Sequence, residues 1–101
     1  MWRGWFIGDF KPSVLETKDF EVGVLLHPKG EKWPAHYHPV GTEYNVLLEG
    51  KMNVCDKDLE AGDIFVIHPG EIADPIFYDD CKILCVKVPG DSKDKVIVGD
   101  K

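Results

Sequence analysis

The chain has 101 residues, of which 44% are hydrophobic and 30% are charged, and its formal net charge is −6. This length suits one hydrophobic core, so we expect a single domain over residues 1–101, and the hydrophobic fraction excludes a disordered chain. The acidic balance, without any run of Lys or Arg, argues against nucleic acid as a partner because phosphates are repelled.

The hydrophobic runs are short, rich in β-branched residues and bounded by Gly, Pro or Asp, which predicts β-strands. In chain order, the predicted strands cover residues 5–7, 14–16, 20–27, 35–38, 43–48, 51–55, 58–59, 64–68, 75–77, 82–88 and 96–98. Glu49-Gly50 and Ala61-Gly62-Asp63 are predicted turns, because glycine tolerates the positive φ of a tight turn. Many short strands without a helical period predict an all-β sandwich or barrel.

The first residues are unusually apolar for the start of a chain, with Trp2, Trp5, Phe6 and Ile7 close together. They can pack into their own core or against a second subunit. Because a small sandwich also leaves strand edges open for pairing, we expect a homodimer.

Membrane and export signals are not found in the sequence. No apolar stretch reaches the roughly 18 to 20 residues of a membrane-spanning helix, and no segment typical of a signal peptide follows Met1. Cys55, Cys81 and Cys85 are an odd number without CxxC spacing, which is not a disulfide framework. We therefore expect a cytoplasmic protein with free thiols and no membrane contact.

Two histidines and a carboxylate form a candidate metal site. On a strand, His36 and His38 project to the same face with Cα atoms about 6.6 Å apart. Glu43 begins the next predicted strand, so its carboxylate can come alongside. Such a set leaves coordination positions open and suits Fe(II), Mn, Ni or Zn. The alternative is an exposed histidine pair beside a turn, with Glu43 as a solvated charge.

The glycines around these residues carry a family resemblance. The chain reads Gly30, five residues, the triplet HYH, four residues, Glu43, six residues, Gly50, which is the spacing of the first cupin motif. Residues 62–70, GDIFVIHPG, resemble the second motif, with its Gly-Asp turn, strand and Pro-containing turn. The chain thus resembles a small single-domain, RmlC-like cupin. The resemblance implies a jelly-roll β-sandwich or barrel, the double-stranded β-helix.

The second motif departs from the family pattern at one position. The resemblance implies a metal-binding histidine three residues after Gly70, where this chain has Ala73. Two nearby residues are possible substitutes: Asp74, if the loop is kinked, and His68, if it faces the barrel mouth. Alternatively, Asp74 is a turn residue before a proline and His68 ends a strand. Without a substitute, an open three-ligand set remains.

Three functions follow as hypotheses. The first is a divalent-metal protein that binds a small polar ligand, a sugar or organic acid, in the barrel. Strand phase makes Asn45, Phe77 and Tyr78 candidates for the ligand pocket. The second is a metal-dependent dioxygenase, isomerase or lyase, although no acid–base pair beyond the ligands is evident. The third is a metal-free binding or interaction module.

Overall fold

Every regular element that the structure describes is a β-strand. The computed structural model describes residues 4–32, 36–37, 39–90 and 96–97, with residues 36, 96 and 97 described by their backbone alone. The strands are β1 (Trp5–Ile7), β2 (Glu21–His27), β3 (His36–Tyr37), β4 (Thr42–Glu49), β5 (Lys51–Val54), β6 (Lys57–Glu60), β7 (Ile64–Ile67), β8 (Ile76–Phe77), β9 (Cys81–Val88) and β10 (Val96–Ile97). Within these ranges, no helix is long and apolar enough to span a membrane.

The strands form three antiparallel sheets. The largest has the order β1-β2-β9-β4-β7, the second has the order β6-β5-β8, and β10 pairs with β3. In the large sheet, β9 lies between β2 and β4, which are far from it in sequence, so long-range pairing holds the sheet together. The predicted all-β jelly-roll sandwich is confirmed.

The hydrophobic core lies between the two larger sheets. Leu47 and Ile83 contribute from the large sheet, whereas Met52 and Phe77 contribute from the three-stranded sheet. All four are at most 6% exposed. Because neither sheet can bury these side chains alone, their packing holds the two layers together.

Gly50 illustrates how the sequence specifies a turn. It lies between β4 and β5 with a φ of 97°, a region that residues with a side chain rarely adopt. A Cβ at this position would also lie 2.4 Å from the carbonyl oxygen of Asp80. Both the backbone angle and the close approach therefore require glycine, and the predicted turn is confirmed.

The strand predicted at residues 14–16 is wrong. This segment forms only an isolated bridge between Leu15 and Ile7, and Val14 is 65% exposed. The backbone N–H of Val14 donates to the carbonyl oxygen of Phe6, so the segment folds back on β1 as a loop. Its apolar residues have a composition typical of a strand, but among the described residues no strand pairs along it beyond this bridge. Predicted strand residues 35, 38 and 98 lie outside the described residues.

The N-terminal aromatic cluster packs at least partly on its own chain. Trp5 pairs with Gly23 of β2, and a Cβ on Gly23 would lie 2.7 Å from the Trp5 ring. Glycine at this position therefore makes room for the indole on the inner face of the sheet. Trp2 lies outside the described residues. The three cysteines are free, as predicted.

Candidate functional site

The interior of the sandwich has a polar end, formed by a row of charges across the large sheet. Lys87 of β9 pairs in register with Glu21 of β2 on one side and with Glu43 of β4 on the other. Lys87 is 4% exposed and Glu21 is 5% exposed, and Lys87 Nζ lies 4.0 Å from Glu21 Oε1. One buried ammonium group thus lies between two strands that each contribute a carboxylate.

The next row toward the core contains a buried amide. Asn45 pairs with Cys85 and is 3% exposed. Among the described residues, its Nδ2 has no hydrogen-bond acceptor. Burial raises the pKa of the Cys85 thiol far above its usual range, and the Glu43 carboxylate adds to the rise, while Lys87 opposes it. The thiol is therefore neutral, and the row, which runs from Gly23 to Phe65, has Cys85 and Asn45 as its polar side chains.

Beyond Asn45 the interior becomes apolar. Leu47 of β4 and Ile83 of β9 form the following row, and both belong to the hydrophobic core. The polar end is thus the end where β4 begins, directly after the predicted histidine ligands. The interior thus changes from the apolar residues Leu47 and Ile83 to buried polar groups at the end where β4 begins.

The candidate metal ligands are only partly described. Glu43 is half-buried on the inner face of β4. It pairs with Lys87 and Ile67, which both face inward, so its side chain lies on the same face. The backbone of His36 belongs to β3, shortly before β4 in the chain, while its side chain and all of His38 lie outside the described residues. Among the described residues, no three His, Cys, Asp or Glu groups cluster closely enough to hold a metal.

Neither of the suggested substitute ligands is buried in the interior. Ala73, at the position of the missing histidine, is 3% exposed and packs in the hydrophobic core. Asp74 is exposed. His68 is exposed and follows the buried Ile67, and its backbone N–H donates to Glu71 Oε1 at 2.6 Å. His68 shares the phase of Ile64 and Val66, as considered from sequence, but that phase is the outer face.

The three candidate pocket residues lie in different surroundings. Asn45 is at the polar end, on the same face as Glu43. Phe77 is a core residue, 4% exposed, and its ring stacks on His27 with centroids 4.6 Å apart. Tyr78 is on the outer side of the three-stranded sheet, where its hydroxyl donates to Asp58 Oδ1 at 3.0 Å. This hydrogen bond raises the pKa of Tyr78.

Tyr78 also borders a depression on the outside of the molecule. The depression has a volume of about 440 Å³ and is open to solvent, and it is lined by Lys51, Asp58, Leu59, Glu60, Asp63 and Tyr78. Asp58 accepts hydrogen bonds from Asn53 and Tyr78, which lower the pKa of its carboxyl group. Its lining combines charged side chains with Leu59, which is partly buried against the hydrophobic core.

Sequence reasoning did not identify Glu21 and Lys87. On both strands, the residues that alternate with Glu21 or Lys87 are more apolar than the residues on the same side as the charge. Hydrophobicity alone therefore predicts that Glu21 and Lys87 face the solvent. The inward orientation predicted for Glu43 could have identified them. If Glu43 faces inward, the residues opposite it on the neighbouring strands must face inward as well.

Comparisons with known proteins agree on the architecture. No protein-family model matches the chain, and none of the curated proteins matches it significantly. Among solved structures, a protein with a double-stranded β-helix domain from Klebsiella pneumoniae is 24% identical with a TM-score of 0.75, covering 86% of this chain and 76% of that one. An RmlC-like cupin from Desulfovibrio desulfuricans is 24% identical with a TM-score of 0.61, covering 75% and 77%.

A third similar structure is much longer than this chain. The DMSP lyase DddQ from Ruegeria pomeroyi is 21% identical with a TM-score of 0.69, and the match covers 91% of this chain but 48% of the lyase. At identities below 25%, these similarities show the fold alone and carry no activity over to this chain. The identification with RmlC-like cupins is thereby confirmed at the level of the fold.

Proposed function

We propose that this chain, which has the double-stranded β-helix fold of the cupin superfamily, binds a small polar ligand at the polar end of its interior. The buried Nδ2 of Asn45 carries the proposal, because it has no acceptor among the described residues. A buried donor without a partner costs roughly 1–3 kcal/mol, and a ligand oxygen beside it removes that cost.

The neighbouring groups define the chemical class of the ligand. Glu21 and Glu43 are carboxylates that accept hydrogen bonds, while Asn45 and Lys87 donate them. A hydroxyl group both donates and accepts, so a ligand carrying several hydroxyls satisfies both kinds of residue. Sugars and hydroxy acids have this chemistry.

We further propose that His36, His38 and Glu43 hold a divalent ion, Fe, Mn, Ni or Zn. Two imidazoles and a carboxylate are suitable donors for these ions, and Glu43 lies half-buried at the polar end. A bound ion supplies Lewis-acid polarisation of a ligand oxygen. Asn45 then orients the ligand by donating to a second oxygen. We leave Asp74 and His68 out of the set, because both are exposed.

A metal-free binding site is the second candidate, and Lys87 favours it. Its buried ammonium group pairs in register with Glu43 and already supplies a positive charge at the polar end. A ligand hydroxyl can accept a hydrogen bond from this ammonium group without an ion. Solved neighbours include proteins described as a DMSP lyase and a polyketide cyclase, so turnover belongs in the test of either candidate.

Metal content of protein purified without a His-tag tests the ion. We expect about one ion per chain in the wild type, and loss of it in His36→Ala and Glu43→Gln with an unchanged circular dichroism spectrum. His68→Ala is the matched control, because His68 is exposed away from the interior. An apo wild type after reloading selects the metal-free candidate, whereas unchanged metal content in His36→Ala contradicts the proposed ligand set.

Ligand binding is tested with Asn45→Leu against Asn53→Leu, which lies on the outer side of the three-stranded sheet. A panel of sugars and hydroxy acids is titrated by NMR, with and without added ions, and turnover is assayed on the same panel. We expect Asn45→Leu to lose ligand binding without loss of thermal stability, while Asn53→Leu binds normally. Ligand binding that survives Asn45→Leu contradicts the proposal.

A further inference from the structure

Glu21 is a buried carboxylate with the backbone packed closely around it. A Cβ on Gly8 would lie 3.2 Å from Glu21 Cγ, and a Cβ on Gly90 would lie 3.1 Å from the same atom. Both distances are shorter than ordinary van der Waals contacts, so glycine at these two positions leaves the room that the Glu21 side chain needs. The carboxylate is thus held on the inner face of β2, opposite Lys87 of β9.

The ion pair between Glu21 and Lys87 is not explained by stability alone. Nζ of Lys87 lies 4.0 Å from Oε1 of Glu21, a long distance for an ion pair, and both side chains are at most 7% exposed. Taking two charges out of water costs free energy that their attraction often does not recover, and apolar side chains in their place are often equally stable. A function in ligand selection accounts for charges at this position.

The charges at the polar end have a negative balance. Lys87 pairs in register with Glu21 on β2 and with Glu43 on β4, so two carboxylates flank one ammonium group. The same three charges act on the Cys85 thiol in the next row: besides burial, which is the largest cause, Glu43 and Glu21 raise its pKa, while Lys87 opposes the rise. Among the described residues, a ligand beside Asn45 therefore meets more negative than positive charge.

We propose that the polar end selects uncharged polyhydroxyl ligands, neutral sugars, over sugar acids, and that Glu21 is the residue that determines this specificity. The inference rests on the ligand site proposed above and narrows its ligand class. A hydroxyl group can donate to a carboxylate and accept from Lys87 or Asn45, whereas a ligand carboxylate only accepts. Glu21 and Glu43 also repel a ligand carboxylate, and the net charge of −6 acts in the same direction.

Glu21 can be tested separately from the proposed ion site. Glu43 is a proposed ion ligand, so its substitution changes two properties at once, whereas Glu21 lies on the other side of Lys87. Glu21→Gln keeps the shape of the side chain and removes one negative charge, which leaves Lys87 more available to a ligand carboxylate. One charge about 6 Å away, at an effective dielectric constant of about 20, changes a dissociation constant roughly a hundredfold.

NMR titration with matched ligand pairs measures the selection. Glucose and glucuronate, and galactose and galacturonate, differ by one hydroxymethyl group that becomes a carboxylate. A chelator keeps the charge of any ion out of the comparison. We expect the wild type to bind each neutral sugar at least about tenfold more tightly than its acid, and Glu21→Gln to shift this ratio toward the acid by at least about tenfold. Glu49→Gln is the matched control, because it removes the same charge from a side chain that is 65% exposed. Its ratio should equal that of the wild type.

The methyl ester of glucuronate covers the case in which Glu21→Gln fails to fold. The ester lacks the charge of the acid, so the wild type should bind it at least about tenfold more tightly than glucuronate. Equal binding of ester and acid overturns the inference. So does an unchanged ratio in folded Glu21→Gln, an equal shift in Glu49→Gln, or a wild type that binds sugars only with an added ion. Absence of binding by every ligand, with and without ions, contradicts the ligand site itself, and the inference with it.

Discussion

The Lys87→Met substitution tests how much the buried row of charges, Glu21, Lys87 and Glu43, contributes to stability. The ammonium group of Lys87 is the partner of Glu21 at 4.0 Å and pairs in register with Glu43, and it is 4% exposed. Removing one partner of a buried ion pair leaves an uncompensated charge and costs about 3–5 kcal/mol. Because a domain of this size has a stability of about 5–15 kcal/mol, the loss is a large fraction of the total.

Thermal unfolding in the presence of a chelator measures this effect without a contribution from bound ions. One kcal/mol shifts the melting temperature of a domain of about 100 residues by about 4–8 °C, so we expect Lys87→Met to lower it by at least about 12 °C. The neutral pair Glu21→Gln/Lys87→Met should recover part of this loss, because one of the unpaired carboxylates is removed.

The matched control is Lys82→Met on the same strand. Lys82 pairs with Glu49 at 3.0 Å, a shorter distance, but their side chains are 38% and 65% exposed. Exposed pairs contribute about 0–1 kcal/mol because water screens them. Equal losses from Lys87→Met and Lys82→Met would falsify the claim that burial, not distance, gives the inner pair its importance.

Two further predictions concern the core and the thiols. Phe77→Ala should destabilise by about 3–5 kcal/mol in chemical unfolding, because it removes a ring 4% exposed that stacks on His27, whereas Tyr78→Phe should leave the melting temperature nearly unchanged. Similar effects of the two would contradict their placement inside and outside the sandwich. With a thiol reagent, we expect only Cys55 to react in the native state, since Cys81 and Cys85 are 3% and 2% exposed. Burial, Glu71 and Asp56 raise the pKa of Cys55, so its reaction should still accelerate at pH values above 9; a plateau below pH 9 would contradict this.

Local signals in the sequence were sufficient for most of the strands. The runs are short, and Gly50 and Gly62 mark turns at which φ is 97° in both cases. Such features act within a few residues and can be read without knowing the partner strands. The segment around Val14 and Leu15 had the same composition but no strand to pair with, and composition cannot reveal that difference.

The candidate site was predicted only in part. Glu43 and Asn45 were assigned to one face from the alternation of β4, and the structure places both on the inner face. Glu21 and Lys87 join them from strands far away in the sequence, so only the register between strands brings them together. Ala73 marked the missing histidine from sequence, but its burial in the hydrophobic core became known only from the structure.

The sequence by itself determined that the chain forms a cupin-like β-sandwich with two histidines and a carboxylate in the first motif. Only the tertiary structure decided which side of each strand faces inward. In β9, for example, hydrophobicity favours Leu84 and Val86 as the buried positions, yet Cys85 and Lys87 are buried. The physical reason is that each sheet has two sides and only one of them can pack against the second sheet. Here the second sheet, which contributes Met52 to the core, covers the side that carries the charges.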